Sequence, residues 1–420
     1  MKAKLKKICI NLLLTVFTIV ITLMGIEAGL RLYYFKSLAT PTFYYLNTLF
    51  DAHPTYGWKY RPNLDINFQN LDYAVALTTN SKGYRDIEHN YPKNPGVFRI
   101  VVLGDSFMDA YQVDFEDSLP RLLKKKLAHR NVEVINLGVR AYGTVQEFLL
   151  LENEGLKYKP DLVLLAFFPF NDIYDNSREL NRLQWGEDSW RCFARPYAKL
   201  DFTNDTGTCE FPDFKRTEAY FEKKQQGMRR QLKRRSIFEK TVLYKFYELY
   251  KNSKTTGPIP PYDPNITFGT ILRDFDPLVF PANKMTASGY REAWESAWET
   301  TCSLIIKIQK TSQKAGAQFV LFTVPAKVQV DKHDLNRVKE ELPQLQFDPG
   351  KINRALCEFT RKNGLYYFDL LPCFEEYYLN RKGSLYYSKE DRHWNKTGHK
   401  LAAEKLVEYL EKHRLIPDSK

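Results

Sequence analysis

Two short segments at opposite ends of the chain carry residue types that could do nucleophilic chemistry. Gly104-Asp105-Ser106-Phe107 ends the apolar run Ile100-Val101-Val102-Leu103, and Asp391-Arg392-His393-Trp394-Asn395 precedes the last helical pattern. A serine hydroxyl needs a base to take its proton. An imidazole serving as that base needs a carboxylate to fix its tautomer and stabilise its charged form. The spacing Asp391-x-His393 offers base and carboxylate from one loop, so the chemistry to expect is attack of Ser106 on an ester carbonyl. Each piece also has a plain structural reading: G-D-S makes a polar turn, and a histidine ahead of a helix can cap it. His399 reads as a surface residue.

Two further segments bear on the same chemistry. Phe170-Asn171-Asp172 follows the apolar run 161–168, where an asparagine amide could donate to a developing oxyanion. The loop Asn136-Leu137-Gly138-Val139-Arg140-Ala141-Tyr142-Gly143-Thr144 follows another apolar run, and its glycines permit close backbone approach. Alone, Asn-Asp after a strand is ordinary turn chemistry.

These segments need strands to hold them. Phe98–Leu103, Val132–Asn136, Asp161–Phe168, Phe319–Val324 and Leu365–Leu370 are short apolar runs, and helical spacing separates them at Leu119–Leu127, Val145–Leu156, Tyr290–Gly316 and Ile352–Arg361. Apolar strands alternating with helices predict a parallel sheet covered on both faces. In such sheets ligands bind at the carboxyl ends of the strands, where all four segments fall. Tyr290, Trp294, Trp298, Cys302 and Ile305 recur at three- or four-residue spacing and read as the core face of one long helix. A last helix starts at Asn395, a good N-cap, and buries Ala402, Leu406 and Leu410. The stretch before the first strand reads as irregular and aromatic-rich, with a hairpin over Val75–Arg85 turning at Asn80-Ser81-Lys82-Gly83.

The chain has 420 residues, 44% hydrophobic and 27% charged, so it can bury a substantial core and is not a disordered composition. Ile8 to Ile26 carries no formal charge, and Lys2, Lys4, Lys6 and Lys7 precede it. That length suits a membrane-spanning helix, and the lysines place its start in the cytoplasm and the body outside. A cleaved signal peptide is the rival reading, weakened by a run longer than a usual h-region. The net charge of +12 gathers partly in Lys223-Lys224…Arg229-Arg230…Lys233-Arg234-Arg235. No nucleic-acid-binding signature surrounds that run. With Val242, Leu243, Phe246, Leu249 and Tyr250 it reads as a solvated amphipathic helix or as one resting on anionic headgroups. In an oxidising compartment Cys192–Cys209 and Cys357–Cys373 are the natural bridges, with Cys302 single. There is no C-x-x-C spacing or Cys/His cluster, so neither a metal site nor a cofactor is expected.

Taken together, G-D-S, the loop 136–144, Asn171 and D-x-H resemble the SGNH (GDSL-type) hydrolase family. The resemblance implies Ser106 as nucleophile, with Asp391 and His393 completing a triad. It implies an oxyanion hole from the backbone N–H groups of Ser106 and Ala141 and the Asn171 amide. Three features depart from the family pattern: the G-x-N-D block reads Pro169-Phe170-Asn171-Asp172 and lacks its glycine, Ala141 stands near the family's oxyanion glycine, and the terminal motif is D-x-H-W-N rather than D-x-x-H. That last form resembles membrane-linked SGNH proteins that O-acetylate exopolysaccharides.

The expected architecture is a three-layer α/β/α sandwich on a five-stranded parallel sheet, SGNH/flavodoxin-like, plus one N-terminal transmembrane helix. Its parts are a cytoplasmic start (1–7), an anchor region (8–34), an irregular/β extension (40–97), the domain's first part (98–171), an insertion or lid (172–288) and its second part (289–413). The expected activity is esterase action on acyl esters, acetyl foremost, of extracytoplasmic glycans or lipids. O-acetyl transfer to an envelope or exported polysaccharide comes second, and a catalytically silent anchored scaffold third. The expected location is the cytoplasmic membrane with the body outside. The expected partners are the acylated substrate, the membrane and envelope polysaccharide-assembly proteins, with no nucleic acid.

Overall fold

The computed structural model describes residues 2–35, 46–69, 72–201, 206–234, 241–244, 247, 250, 287–341, 348–380, 383–387 and 391–418. Lys2–Phe35 is one continuous helix, α1. An apolar window within Lys4–Tyr33 has a mean hydropathy of 2.4, and none of it is buried against the described residues. Thr15, Thr18 and Thr22 each return their hydroxyl to the carbonyl one turn back, at 2.8–2.9 Å. Their polar groups are therefore satisfied inside the helix, as an apolar surrounding demands.

The extension before the sheet is more regular than its sequence suggests. Strands β1 (Phe50–His53) and β2 (Gly57–Tyr60) form one antiparallel hairpin, and β3 (Asp65–Gln69) and β4 (Ala74–Thr78) form another. This corrects the expected hairpin over Val75–Arg85. Asn80–Gly83 does turn, with Gly83 N–H donating to the Asn80 carbonyl at 3.0 Å and Gly83 at φ +77°. The partner of β4 nevertheless lies upstream, in register Phe68 to Val75 and Ile66 to Leu77. Residues after the turn instead bury Arg85, whose guanidinium donates to the carbonyls of Asp109, Ala110 and Val113.

The central sheet has five strands: β5 (Phe98–Leu103), β6 (Val132–Asn136), β7 (Leu162–Phe167), β10 (Gln318–Thr323) and β11 (Tyr366–Phe368). All pairings are parallel, in the order β11-β10-β7-β5-β6. Strand residues alternate between two cores. Ile100, Val102, Leu162 and Leu164 face α3 (Leu119–Lys126), α12 (Leu371–Leu379) and α13 (Lys396–Lys412). Val101, Leu103, Val163 and Leu165 face α4 (Thr144–Asn153), α8 (Ala287–Lys314), α11 (Lys351–Lys362) and the aromatic extension. Each fully buried aliphatic side chain contributes about 1.5–3 kcal/mol. The two apolar layers therefore fix the three-layer α/β/α sandwich. On α8, Ile305 is buried and Trp294, Trp298 and Cys302 are half-buried, while the Tyr290 side chain lies outside the described residues.

Between β7 and α8 the insertion supplies α5 (Arg178–Trp185), α6 (Trp190–Phe193), the hairpin β8–β9 (Tyr197–Asp201 with Thr206–Glu210) and α7 (Phe214–Arg234), and after β10 come the short helices α9 (Lys327–Val330) and α10 (Lys332–Glu341). On α7, Thr217, Phe221 and Met228 are buried and Lys223, Lys224, Arg229 and Arg230 are exposed, which is a solvated basic face over an apolar one. The proline-rich loop 258–261, Phe246 and Leu249 lie outside the described residues. All six cysteines are free, so neither expected bridge is present. Cys192 is buried in α6 while Cys357 sits exposed on α11, each held by its own element.

Candidate active site

The strand β5 stops at Leu103, and Asp105 caps the one-turn helix α2 (Ser106–Asp109) by accepting from Phe107 N–H at 2.9 Å. Ser106 is thus the first residue of a helix, where backbone N–H groups have no intrahelical acceptor. Two neighbours hold this turn down. Asn136 donates to the Met108 carbonyl at 2.8 Å and accepts from Gly138 N–H at 3.0 Å. Gly138 lies so close that a Cβ there would sit 2.4 Å from the Met108 Cβ and 2.8 Å from the Asp109 nitrogen.

From the far end of the chain, Asn395 caps α13 by accepting from Thr397 and Gly398 N–H, as its sequence position predicts. Trp394 is fully buried, and its indole donates to the Pro325 carbonyl at 3.3 Å. His393 is pinned on both sides: its carbonyl accepts from Tyr387 N–H at 3.0 Å, and its ring packs on Phe107 at 4.6 Å between centroids. The result is a linear relay. Ser106 Oγ lies 2.7 Å from His393 Nε2, and His393 Nδ1 lies 2.5 Å from Asp391 Oδ1. Asp391 is buried, which alone would raise its pKa. The attraction of His393, with hydrogen bonds from His393 and Tyr73, instead holds it well below the usual carboxylate range. Asp391 is therefore ionised across the range in which an imidazole works.

Of the two oxyanion candidates, Asn171 is tied to the residue before Ser106, and Ala141 lies on the loop after β6. Ala141 follows β6 and adopts φ +60°, a left-handed conformation that favours glycine. Its carbonyl is held by Arg195 Nη2 at 2.9 Å, and its N–H has no acceptor among the described residues. Asn171 follows β7 and donates one amide hydrogen to Asp105 Oδ2 at 2.7 Å, leaving the second for another acceptor. Behind Ser106 lie the buried carboxyls of Asp105, Glu147 and Asp172. Burial raises all three, and mutual repulsion pushes Glu147 and Asp172 highest.

His399 departs from its expected surface position. It is fully buried, its Nδ1 accepts from Leu119 N–H at 3.3 Å, and its ring stands edge-on to Trp394. It ties α13 to the start of α3 and does not enter the relay.

Other residues at the site carry no local sequence signal. Tyr73 donates to Asp391 Oδ2 at 2.7 Å, and Asp72 accepts from Asp391 N–H at 2.8 Å. Both come from the turn between β3 and β4, more than 300 residues upstream. Arg140 lies over the Tyr111 ring, 4.5 Å from its centroid, with Nη1 buried and unpaired. Tyr111 in turn stands 6.1 Å from the His393 ring. Among the described residues no cluster of His, Cys, Asp and Glu could hold a metal ion.

Residues 285–420 match the family model described as SGNH hydrolase-like domain, acetyltransferase AlgX. No curated protein matches the chain. Among solved structures, the acetyl xylan esterase AlAXEase is 14% identical with a TM-score of 0.32, covering 74% of this chain and 98% of its own. Axe2, an acetylxylan esterase from Geobacillus stearothermophilus, is 11% identical with a TM-score of 0.35, covering 74% of this chain and 94% of its own. A GDSL-like lipase from Bacteroides thetaiotaomicron is 10% identical with a TM-score of 0.30, covering 75% and 88%. The family match spans β10, β11 and the D-x-H loop, and G-D-S follows β5 of the same parallel sheet. Residues 285–420 are therefore similar to the SGNH hydrolase-like domain of an acetyltransferase, and the G-D-S turn lies on the sheet that those residues complete.

Proposed function

We propose that the chain is a membrane-anchored serine enzyme that moves an acetyl group through an acyl-Ser106 intermediate onto a hydroxyl of an extracytoplasmic glycan. The observation that carries the reading is the Ser106–His393–Asp391 relay, with contacts of 2.7 and 2.5 Å. His393 takes the Ser106 proton as Oγ attacks the donor's ester carbonyl, and Asp391 holds the imidazole and stabilises its charged form. The Ser106 and Ala141 N–H groups and the free Asn171 amide hydrogen receive the oxyanion, each worth about 3–4 kcal/mol. Collapse expels the donor alcohol, which takes the proton from His393. A glycan hydroxyl then repeats the cycle in reverse: His393 removes its proton, and the acetyl group leaves Ser106.

Two observations support putting transfer ahead of the hydrolysis that the sequence motifs favour. The family match over the D-x-H half is of acetyltransferase type. In addition, Ser106 is only 6% exposed, and the Phe107 ring beside it in sequence lies tilted against Phe168, 4.8 Å between centroids. A covered nucleophile favours an oriented acceptor over bulk water. Hydrolysis of acetylated glycans shares every step except the final acceptor. A silent scaffold is disfavoured by the intact relay, since nothing in a structural role needs an ionised carboxylate and an imidazole aligned on a serine.

The anchor reading draws support from Glu27, one residue past the apolar run. Its carboxylate accepts from the N–H groups of Val242 and Leu243 at 3.0 and 3.2 Å and pairs with Arg31. The insertion is thereby fastened to the point where α1 would leave the hydrocarbon. Incubating the full chain with an activated acetyl ester, with and without envelope-type oligosaccharides, tests the proposal by mass spectrometry. Acetylated sugar should form faster than free acetate, and Ser106→Ala should abolish both with folding intact. Acetate alone would reverse the order of transfer and hydrolysis; full activity of Ser106→Ala would remove the serine from the mechanism.

A further inference from the structure

Asp391 has two carboxylate oxygens, and the structure divides them between two parts of the chain. Oδ1 faces His393, taking its ring Nδ1 at 2.5 Å and its backbone N–H at 2.9 Å. Oδ2 faces the N-terminal extension, taking the Tyr73 hydroxyl at 2.7 Å and the Tyr111 hydroxyl at 3.4 Å. The backbone of Asp391 is held from the same side, because its N–H donates to Asp72 Oδ2 at 2.8 Å. Tyr73 is buried and wedged among Phe68, Tyr111 and Tyr387, with ring centroids at 6.3, 6.1 and 5.0 Å. The β3–β4 hairpin thus presents two adjacent residues to one aspartate, one gripping its side chain and the other its main chain.

We infer that Tyr73 and Asp72 are positioning residues of the catalytic centre, acting through Asp391 to aim His393 at Ser106, so that the N-terminal extension is a working part of the active site. The inference rests on the proposed triad. A carboxylate bound through one oxygen alone can swing about its Cβ–Cγ bond and carry the imidazole with it. A second hydrogen bond on Oδ2 removes that freedom, and a bond to the main chain fixes where the carboxylate starts from. The hydroxyl also has an electrostatic effect: as a donor to Oδ2 it draws negative charge away from Oδ1 and moderates the pull of Asp391 on His393. Burial, with Tyr111 and Asp391 beside it, holds the Tyr73 phenol well above its ordinary pKa, so it stays a donor throughout the working range. The charged and titratable groups around this pair are Tyr73 and Asp72 from the extension, Tyr111 after α2, Arg140 from the β6 loop and Tyr387 beside the D-x-H loop, with Asp105 and His399 acting on His393.

The test compares Tyr73→Phe, Asp72→Ala and Asp72→Asn in the full chain, with an activated acetyl ester as substrate. Tyr73→Phe keeps the ring and its packing, and should lower kcat by about 10–100-fold with KM changed by less than about twofold. Its kcat/KM profile should also move its acid limb to higher pH, because the unshared charge on Asp391 then stabilises the imidazolium more. Asp72→Ala should lower kcat as well, and Asp72→Asn, which keeps an acceptor oxygen, should recover most of it. A Tyr73→Phe enzyme with unchanged kcat, or with a lower kcat but an unmoved or acid-shifted limb, overturns the inference while leaving the triad in place. Full activity of Ser106→Ala in the same assay instead overturns the reading beneath it.

Discussion

The imidazole of His399 has no exposed surface, and burial, with Arg85 and His393 nearby, lowers its pKa from 6.5 to about 3. A histidine kept neutral in the fold and free to charge when unfolded costs stability as pH falls. The loss begins near the unfolded value of about 6.5 and continues down to the folded one, at up to about 1.4 kcal/mol per pH unit. Between pH 7 and 5 this one residue should therefore remove about 2 kcal/mol. His399→Asn keeps an acceptor for Leu119 N–H and cannot titrate. Denaturant unfolding at both pH values should show its loss smaller than the parent's by about that amount; equal losses would mean that His399 is not the titrating group. Ser106, Asp391, His393 and Asn171 stand out in the sequence because residue type and spacing announce their chemistry. Tyr73 and His399 do not, since the first acts across 318 residues and the second differs from a surface histidine only in what the fold lays over it.

At the scale of elements, the nucleophile depends on a turn of four residues, α2, clamped from the β6 loop. Gly138→Ala would drive a methyl group into Met108 and the Asp109 nitrogen, and the main chain of α2 must move to receive it. Thermal unfolding should show a cost of about 1–3 kcal/mol. Acyl transfer should fall further than stability alone accounts for, because Ser106 shifts with the turn; unaltered kcat in folded protein would show that α2 is not held there. The strands of the sheet were legible because each is a continuous apolar run, the mark of burial on both faces. The hairpin β3–β4 was misplaced for a physical reason. Asn80–Gly83 has all the turn residues a hairpin wants, whereas β3 and β4 are joined by Asn70-Leu71-Asp72-Tyr73, which advertises nothing. The stronger turn signal belongs to the descent of Arg85 into the core.

For the whole molecule, the orientation proposed from the apolar helix and the lysines before it is one that the free cysteines can report. Cys357 is exposed on α11, in the body, while Cys9 lies within α1. In intact spheroplasts an impermeant maleimide should label the chain, and Cys357→Ser should lose most of that labelling. Labelling that appears only after permeabilisation would place the body inside.

The separation of the relay along the chain also governs its birth. Ser106 and His393 lie 287 residues apart, and β5, the strand that carries the serine, is made well before β10, β11 and α13 exist. In the proposed anchored enzyme, the nucleophile is therefore the first catalytic group to emerge during synthesis and its base the last. Until the final helix docks, Ser106 is an ordinary alcohol with no partner to take its proton. Under the proposed function, an unfinished or truncated chain that already holds its G-D-S turn would be chemically inert toward acyl esters. The proposed activity would then be licensed by docking of α13, a safeguard that arises from strand order alone.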